Sequence, residues 1–280
     1  MPLTIVPTPI GNLADVTLRA LEVLKTADQI LCEDTRVSRA LLNHHTIRAQ
    51  LTSYHAFNER ARLKILLEKL QAGEHLALIS SAGTPGVCDP GQRLIAASLQ
   101  ASIEVRVLPG PCALITALVT SGFDAVPFQF VGFLERSPKR QCEAILAYPS
   151  VSICYESPKR VVKSLSILQN CEQAARMVPR PVAVIKELTK KFERHFRGTA
   201  KEILAQLQED STSLRGEWVL VIGPSLGLLP PLPLQSAQVY AHLQEGLNRG
   251  LSKSEVAADL ATRHGVKRQE FYRILKAFPH

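Results

Sequence analysis

The chain has 280 residues, 46% apolar and 21% charged, which is typical of a soluble globular protein with more than one domain. Its six cysteines are scattered without a C-x-x-C pair, which argues against both structural zinc and a disulfide framework. The formal net charge of +8 fits a polyanionic partner such as RNA, and equally fits a mildly basic protein without one. No signal-peptide pattern or bilayer-length apolar run is present, so we expect a cytoplasmic protein.

Apolar runs and amphipathic segments alternate through the first 121 residues. The runs predict strands at 3–6, 29–32, 75–79 and 103–107. Helical spacing predicts helices at 15–26, 58–72 and 112–121, with Asp15 as the N-cap of the first. Alternating strands and helices predict a mainly parallel sheet, so residues 1–118 are expected to form an N-terminal α/β domain.

The pattern changes near residues 122–130, and a second α/β domain is predicted over residues 119–224. Its strands are expected at 130–134, 151–155, 182–185 and 218–222. Its helices are expected at 138–147, 158–169 and 199–209. A proline-rich linker follows at 225–235. Residues 236–280 predict a small helix-turn-helix-like module, in which Ser252 and Glu255 form a capping box.

Three of the predicted strands end in loops of small residues and prolines. These loops are P-T-P-I-G-N at 7–12, S-S-A-G-T-P-G at 80–86 and L-P-G-P-C-A at 108–113. Ligands bind at the carboxyl edge of open α/β sheets, so the loops predict a small-molecule pocket lined largely by backbone. The dinucleotide-binding G-x-G-x-x-G and the P-loop patterns are both missing from the sequence.

Two further strand ends carry charged side chains. The segment E-D-T-R at 33–36 suits substrate binding or proton handling, although Asp34 or Thr35 can equally cap a helix through Leu42. At 155–160, Glu156 is a candidate for holding a ligand hydroxyl, while Lys159 and Arg160 are candidates for phosphate contacts. The alternative there is a capped helix with Pro158 in its first turn.

Residues 186–201 carry six Lys or Arg against two Glu, and we call this segment the basic strip. Its charges favour RNA contact, and Phe192 and Phe196 favour core packing. The alternative is a solvated basic loop. The C-terminal module has seven Lys or Arg against four acids, which favours nucleic-acid binding only mildly.

Together these motifs resemble those of the bacterial 16S ribosomal RNA (cytidine-2′-O)-methyltransferases of the tetrapyrrole methylase superfamily. The resemblance covers the whole chain and rests on eight motifs in order. They are T-I-V-P-T-P-I-G-N-L-A-D at 4–15, R-A-L at 19–21, E-D-T-R at 33–36, A-G-T-P at 82–85, D-P-G at 89–91, L-P-G-P-C-A at 108–113, Y-E-S-P at 155–158 and E-L-T-K at 187–190.

The resemblance implies two α/β domains with S-adenosylmethionine in the cleft between them, and a homodimer. It implies methyl transfer to the ribose 2′-hydroxyl of a cytidine in the decoding centre of 16S rRNA within the 30S subunit. The cofactor residues that it points to are Pro9, Ile10, Ser80, Ser81, Thr84, Val87, Cys112, Ala113 and Tyr155. The RNA-binding candidates are Arg36, Lys159, Arg160, Lys191, Arg194 and Arg197; no metal is implied.

Three positions depart from the family pattern. Ser81 replaces the usual Asp, Lys159 replaces a usual His, and Lys186 replaces a common Arg. The loss of the acid at 81 is expected to alter cofactor affinity. The other two changes keep or add positive charge, so they do not threaten RNA binding.

Methyl transfer to a hydroxyl requires a group that accepts its proton. The candidates at sheet edges are Glu33, Asp34, Glu156 and Glu187, and Lys190 qualifies only if its pKa is lowered. Two rival functions remain. One is methylation of a tetrapyrrole or another small molecule on the same fold, and the other, suggested by Ser81, is a non-catalytic RNA-binding assembly factor.

Overall fold

The computed structural model describes residues 2–124, 126–209, 215–228, 244–246 and 248–264. The chain forms two compact units, Met1–Leu226 and Gly227–His280. The first unit contains both α/β domains, and the second contains the C-terminal module. Within the described residues, no helix is both long and apolar enough to cross a membrane.

The first domain is built on a parallel sheet, as predicted, with five strands, of which the one at Leu51–Ser53 was not expected from the sequence. Its strands are β1 (Leu3–Val6), β2 (Gln29–Cys32), β3 (Leu51–Ser53), β4 (Leu76–Ile79) and β5 (Val105–Val107), in the order β3-β2-β4-β1-β5. The helices between them are α1 (Leu18–Thr26), α2 (Thr35–His44), α3 (Glu59–Gln71) and α4 (Gln92–Gln100). The central strands β1, β2 and β4 are buried on both faces, which explains their continuous apolar sequences.

The second domain is a mixed sheet with the order β6-β7-β10-β8-β9. Its strands are β6 (Phe128–Phe133), β7 (Val151–Glu156), β8 (Val182–Lys186), β9 (Arg194–Gly198) and β10 (Trp218–Ile222). Only β6 and β7 pair in parallel; the other neighbours are antiparallel. Helices α6 (Lys139–Ala147), α7 (Val161–Ala174) and α8 (Ala200–Glu209) pack on this sheet. The predicted arrangement of two α/β domains is therefore confirmed.

Helix α5 (Ala113–Ser121) follows the first sheet in sequence but packs on the second. Leu114, Ala117 and Leu118 share one buried cluster with Val151 of β7 and Val221 of β10. The predicted domain boundary at residue 118 therefore falls inside a helix whose core contacts belong to the second domain. The helix has apolar residues on every side, so its periodicity gave no indication of which sheet it would cover.

Several local details differ from the sequence expectations. Helix α1 begins after Thr17, whose hydroxyl accepts the Ala20 amide at 3.1 Å, whereas Asp15 lies in a preceding 3-10 turn. Helix α7 begins at Val161 and not at Pro158. The basic strip contains an edge strand, β9, which the sequence did not predict.

In the second unit, helix α9 (Lys253–His264) begins with the predicted capping box. The Ser252 amide donates to Glu255 at 2.8 Å, and the Glu255 amide donates back to the Ser252 hydroxyl at 3.3 Å. The second helix expected for this module and most of the proline-rich linker lie outside the described residues.

Candidate functional site

A cavity of about 430 Å³ lies between the two sheets of the first unit, and we call it the cleft cavity. The first domain contributes the loops that follow β1, β2 and β4. The second domain contributes β6, β7, the start of α5 and the loop before β10. The lining residues are Ile10, Glu33, Ser81, Ala82, Gly83, Thr84, Val87, Cys88, Asp89, Cys112, Ala113, Phe133, Tyr155, Glu156, Ser157, Pro158, Leu188, Gly216, Glu217, Trp218 and Val219.

The three small-residue loops are bonded to one another and form one wall of the cleft cavity. Thr8 and Gly83 exchange two backbone hydrogen bonds of 2.9 Å, and the Thr84 hydroxyl donates to the Pro111 carbonyl at 3.2 Å. The loops approach so closely that a Cβ added at Gly110 would lie 2.6 Å from Pro7. This wall is therefore preorganised, which reduces the ordering cost of binding a ligand.

Most residues predicted to hold the cofactor line this cavity. They are Ile10, Ser81, Thr84, Val87, Cys112, Ala113 and Tyr155. Pro9 and Ser80 are buried and do not line it, and the Ser80 hydroxyl donates to the Gly83 carbonyl at 3.0 Å. Ser80 therefore supports the loop from behind.

The side contributed by the second domain is aromatic. Tyr155 packs edge-on against Phe130 and Phe133, with ring centroids 4.9 and 5.4 Å away. Burial, with Cys112 and Cys88 nearby, raises the pKa of Tyr155, so its hydroxyl stays neutral at physiological pH. Tyr155 therefore offers an apolar ring and a neutral hydroxyl to a ligand.

Glu156 is buried, and its carboxylate is fully engaged by the protein. It accepts the Ser157 amide at 2.6 Å and the Ser164 hydroxyl, and it forms an ion pair of 2.7 Å with Arg160. A carboxylate with three donors is poorly placed to accept a further proton. Glu156 instead fixes Arg160, whose side chain remains 29% exposed.

We expect Glu156→Ala to destabilise the first unit by about 3–5 kcal/mol, because it leaves the Arg160 charge and the buried Ser164 hydroxyl without their partner. Glu156→Gln keeps the shape of the side chain and is expected to cost less. Urea unfolding of both variants measures this ranking. An unchanged midpoint for Glu156→Ala would show that the ion pair does not stabilise the fold.

The loop at 187–190 crosses from the second domain to the first. Glu187 and Thr189 have φ angles of 55° and 62°, values that non-glycine residues rarely adopt. A Cβ added at Gly11 would lie 2.5 Å from the Lys190 side chain, so this loop packs directly on the first loop of the other domain. Strained backbone of this kind is concentrated at functional sites.

Lys190 holds this loop through two carboxylates. Its ammonium lies 2.9 Å from Glu187 and 2.8 Å from Glu217, and the Glu217 amide donates to Glu187 at 2.9 Å. Burial alone would lower the pKa of Lys190, but these two hydrogen bonds outweigh it and raise the pKa. For Glu187, burial would raise the pKa, but Lys190 and the Glu217 amide lower it. Both shifts oppose a role for either group as a base near neutral pH.

Of the remaining candidate bases, Asp34 caps a helix. Its carboxylate accepts the Arg36 amide at 2.8 Å and pairs with the Arg36 guanidinium at 2.8 Å. The Arg36 side chain lowers the pKa of Asp34 to about 2. Glu33 does line the cavity, and it accepts the Ser81 hydroxyl at 3.2 Å. Ser81, which stands where the family usually has Asp, is therefore hydrogen-bonded to the carboxylate of Glu33.

Asp89 and Glu217 line the cleft cavity although the sequence did not single them out as site residues. Burial is the main cause that raises the pKa of Asp89 to about 6, and the nearby Glu33 adds to it. Asp89 lies in the D-P-G motif, so its motif was visible in the sequence. Glu217 follows the undescribed residues 210–214, and no motif marked it.

The basic strip presents its charges at the surface. Lys191, Arg194 and Arg197 are exposed, and the Arg197 guanidinium donates to the Thr120 carbonyl at 2.7 Å. Phe196 is buried and stacks on Trp218 with ring centroids 6.0 Å apart, as expected for a core residue. Phe192 is 70% exposed, so the expectation that it packs in the core was wrong. It lies outside β9, where the alternation of the strand does not direct it inward.

Comparison with known proteins gives consistent matches. Residues 2–204 match the family model described as Tetrapyrrole (Corrin/Porphyrin) Methylases. The chain is 41% identical to "Ribosomal RNA small subunit methyltransferase I" of Escherichia coli O157:H7 over 274 residues, which cover 97% of this chain and 93% of the relative. It is 39% identical to the protein of the same name from Synechocystis, covering 97% and 96%.

Solved structures with a similar fold are more distant in sequence. Diphthine synthase matches with a TM-score of 0.63 at 13% identity, covering 80% of this chain and 90% of that protein. The cobalamin biosynthetic enzyme cobalt precorrin-4 methyltransferase matches with a TM-score of 0.60 at 15% identity, covering 79% and 94%. At these identities the likeness establishes the shared fold alone.

Proposed function

The chain belongs to the tetrapyrrole methylase family and, within it, to the ribosomal RNA small subunit methyltransferase I group, and on that premise we propose that it methylates the ribose 2′-hydroxyl of a cytidine in the decoding centre of 16S rRNA. It is an enzyme that uses S-adenosylmethionine to methylate small-subunit rRNA. What we propose beyond this is the identity of the methylated nucleotide, a decoding-centre cytidine, and of the methylated atom, its 2′-oxygen.

The observation that carries this proposal is the extent of the sequence similarity. Identities near 40% extend over 97% of the chain, including the C-terminal module. The tetrapyrrole-modifying neighbour cobalt precorrin-4 methyltransferase covers only 79% of the chain at 15% identity. A small-molecule substrate also gives no reason for the exposed cations of the basic strip.

The charges and apolar side chains that line the cleft cavity suit S-adenosylmethionine. The cofactor carries a positive sulfonium, a positive amino group and one carboxylate, so its net charge is positive. Four lining side chains are acidic: Glu33, Asp89, Glu156 and Glu217. Of these, Glu156 is paired with Arg160 and Glu217 with Lys190. None of the lining residues in the described part of the chain is Lys, Arg or His. Apolar contacts for the adenine and the methionine chain are available from residues such as Ile10, Val87 and Leu188.

Ser81 does not remove negative charge from this part of the cavity. Its hydroxyl donates to Glu33, so a carboxylate lies within hydrogen-bonding distance of the position where relatives in this family usually have Asp. We propose that Glu33 replaces that acid in holding a positive or hydroxyl group of the cofactor. This weakens the argument from Ser81 for a non-catalytic protein.

Bound S-adenosylmethionine supplies a methyl group that is already activated by its positive sulfur. The chain's own residues therefore need to position the ribose hydroxyl, exclude water and accept one proton. The interlocked loops at 7–12, 80–86 and 108–113 provide a fixed wall for this purpose. The loop at 187–190, held by Lys190, forms the opposite rim and links the two domains.

For the RNA, we propose that Lys159, Arg160, Lys191, Arg194 and Arg197 contact phosphates, and that Arg36 does so from the first domain. Arg160 is the best oriented of these, because Glu156 fixes its guanidinium beside the cleft cavity. Cations bound to phosphates provide affinity and register without reading the sequence. We also propose that the enzyme acts in the cytoplasm as a homodimer on the 30S subunit.

The test is a methyl-transfer assay with radiolabelled S-adenosylmethionine in which 30S subunits, naked 16S rRNA and a porphyrinoid are offered in parallel. We expect label to enter the RNA of the 30S subunit and not the porphyrinoid. Comparing the label in naked 16S rRNA with the label in the 30S subunit shows whether the enzyme requires the assembled subunit. Label in the porphyrinoid alone would contradict the proposed function.

A further inference from the structure

The cleft cavity contains one carboxyl group whose neighbours and rigid setting suit proton transfer. Of its four lining acids, Glu156 is saturated by three donors, and Glu217 is paired with Lys190 at 2.8 Å. Glu33 accepts the Ser81 hydroxyl and is proposed above to hold a group of the cofactor. The remaining acid is Asp89. In the described part of the chain, the residues that line the cavity with it include no Lys, Arg or His.

Asp89 lies in a loop that the fold holds firmly against the end of β4. The Gln92 side chain donates to the Gly86 carbonyl at 2.6 Å and closes the loop around Asp89. Gly91 has a φ of 135°, and a Cβ there would lie 2.6 Å from Leu78 of β4. A carboxyl group on such a fixed loop loses little entropy when it engages a substrate.

The groups that interact electrostatically with Asp89 come from several segments of the fold. Glu33 follows β2, Cys88 precedes Asp89 in the same loop, Ser80 follows β4, and Tyr155 belongs to β7 of the second domain. Burial and the nearby Glu33 disfavour the charged form of Asp89, and the proximity of Ser80, whose hydroxyl proton goes to the Gly83 carbonyl, does not offset them. The consequence is a pKa of about 6, close to the value that suits a base at neutral pH.

We propose that Asp89 is the base that accepts the proton of the ribose hydroxyl, a role that rests on the proposed function. The 2′-oxygen forms a new bond to the methyl carbon as the bond between that carbon and sulfur breaks. The sulfur keeps the electron pair of the broken bond and leaves as the neutral thioether of S-adenosylhomocysteine. The proton of the hydroxyl passes to the carboxylate of Asp89 and is then released to water.

The experiment compares the full-length wild type with Asp89→Asn and Glu33→Gln under single-turnover conditions, across pH 5 to 9. In the wild type, protonation of Asp89 should slow the rate below about pH 6. Asp89→Asn is expected to lower the plateau rate about 10²- to 10⁴-fold, the usual contribution of a general base. Glu33→Gln should move the acidic limb to lower pH, since Glu33 raises the pKa of Asp89.

Two readouts without turnover accompany the rates. Calorimetry should show that Asp89→Asn loses far less S-adenosylmethionine affinity than rate, since a base contributes mainly to the transition state. Thermal unfolding should show Asp89→Asn to be more stable than the wild type at pH 7.5 but not at pH 4.5. Because the pKa of Asp89 is raised from its ordinary value near 4 to about 6, its ionisation costs stability as the pH rises from about 4 to about 6. Glu68→Gln, on the exposed face of α3, is the matched control and should change none of these values.

The outcomes separate the two proposals. Failure of the wild type to methylate RNA would overturn the proposed function. A wild-type rate in Asp89→Asn, or an acidic limb that Glu33→Gln leaves in place, would overturn the role of Asp89. A loss of cofactor affinity equal to the loss of rate would also overturn it, because Asp89 would then be a cofactor-binding group.

Discussion

Replacing Thr84 with Arg is expected to lower the affinity for S-adenosylmethionine at least about 100-fold, or roughly 2.7 kcal/mol. Thr84 lines the cleft cavity, and its hydroxyl donates to the Pro111 carbonyl at 3.2 Å. The new side chain would fill space in the cavity and bring a positive charge toward a positively charged cofactor. It would also break the link between two of the three interlocked loops. Isothermal calorimetry measures the loss directly.

Thr84→Ser is the matched variant, since it keeps the hydroxyl that bonds to Pro111 and adds no bulk. We expect its affinity to stay within about threefold of the wild type, because a retained hydrogen bond preserves the loop contact. Circular dichroism of both variants separates local effects from unfolding. A folded Thr84→Arg protein with unchanged affinity would place the cofactor outside the cleft cavity.

The second large effect is expected for RNA binding when Lys191 and Arg194 are both replaced by Gln. Both side chains are exposed on the basic strip. Each lost phosphate contact removes about 0.7–0.9 from the slope of log K against log salt, so the double variant should lose about 1.4–1.8. At physiological salt this corresponds to roughly a 20-fold weaker affinity. Binding to 30S subunits at several salt concentrations gives both quantities.

Lys25→Gln together with Arg106→Gln provides a control with the same change in net charge on the first domain. Arg106 lies on β5 with its guanidinium 2.7 Å from Glu104, and Lys25 is exposed in the last turn of α1. This pair should leave the slope nearly unchanged. If both double variants change it equally, net charge alone drives binding and the basic strip is a solvated edge strand, a common way to block strand pairing.

The strands of both sheets were largely predictable because their apolar runs reflect burial on two faces. Strand β9 was not, because an edge strand of Arg, His and Arg around one buried Phe lacks such a run. Strand β3 has only three half-buried residues, which is too short for a periodic signal. Local sequence thus identifies central strands, while edge strands depend on the neighbour they pair with.

The site was predictable where consecutive residues form it, as in the loops at 80–86 and 108–113. The pairing of Lys190 with Glu217 joins residues 27 positions apart, so no spacing rule indicated it. The pKa values of Lys190 and Asp89 depend on such long-range neighbours. Because of these contacts, Lys190, a candidate base in the sequence, instead holds the loop at 187–190 in place. The same kind of contact made Asp89 a candidate base, although the sequence had indicated no role for it.

The most direct test of the assigned function is nucleoside analysis of the labelled product. Small-subunit RNA from methylated 30S subunits is digested to nucleosides and separated by liquid chromatography and mass spectrometry. We predict that the label elutes as 2′-O-methylcytidine and that protection mapping places it in the decoding centre. Label on a base, or on the ribose of another nucleotide, would contradict the proposed reaction.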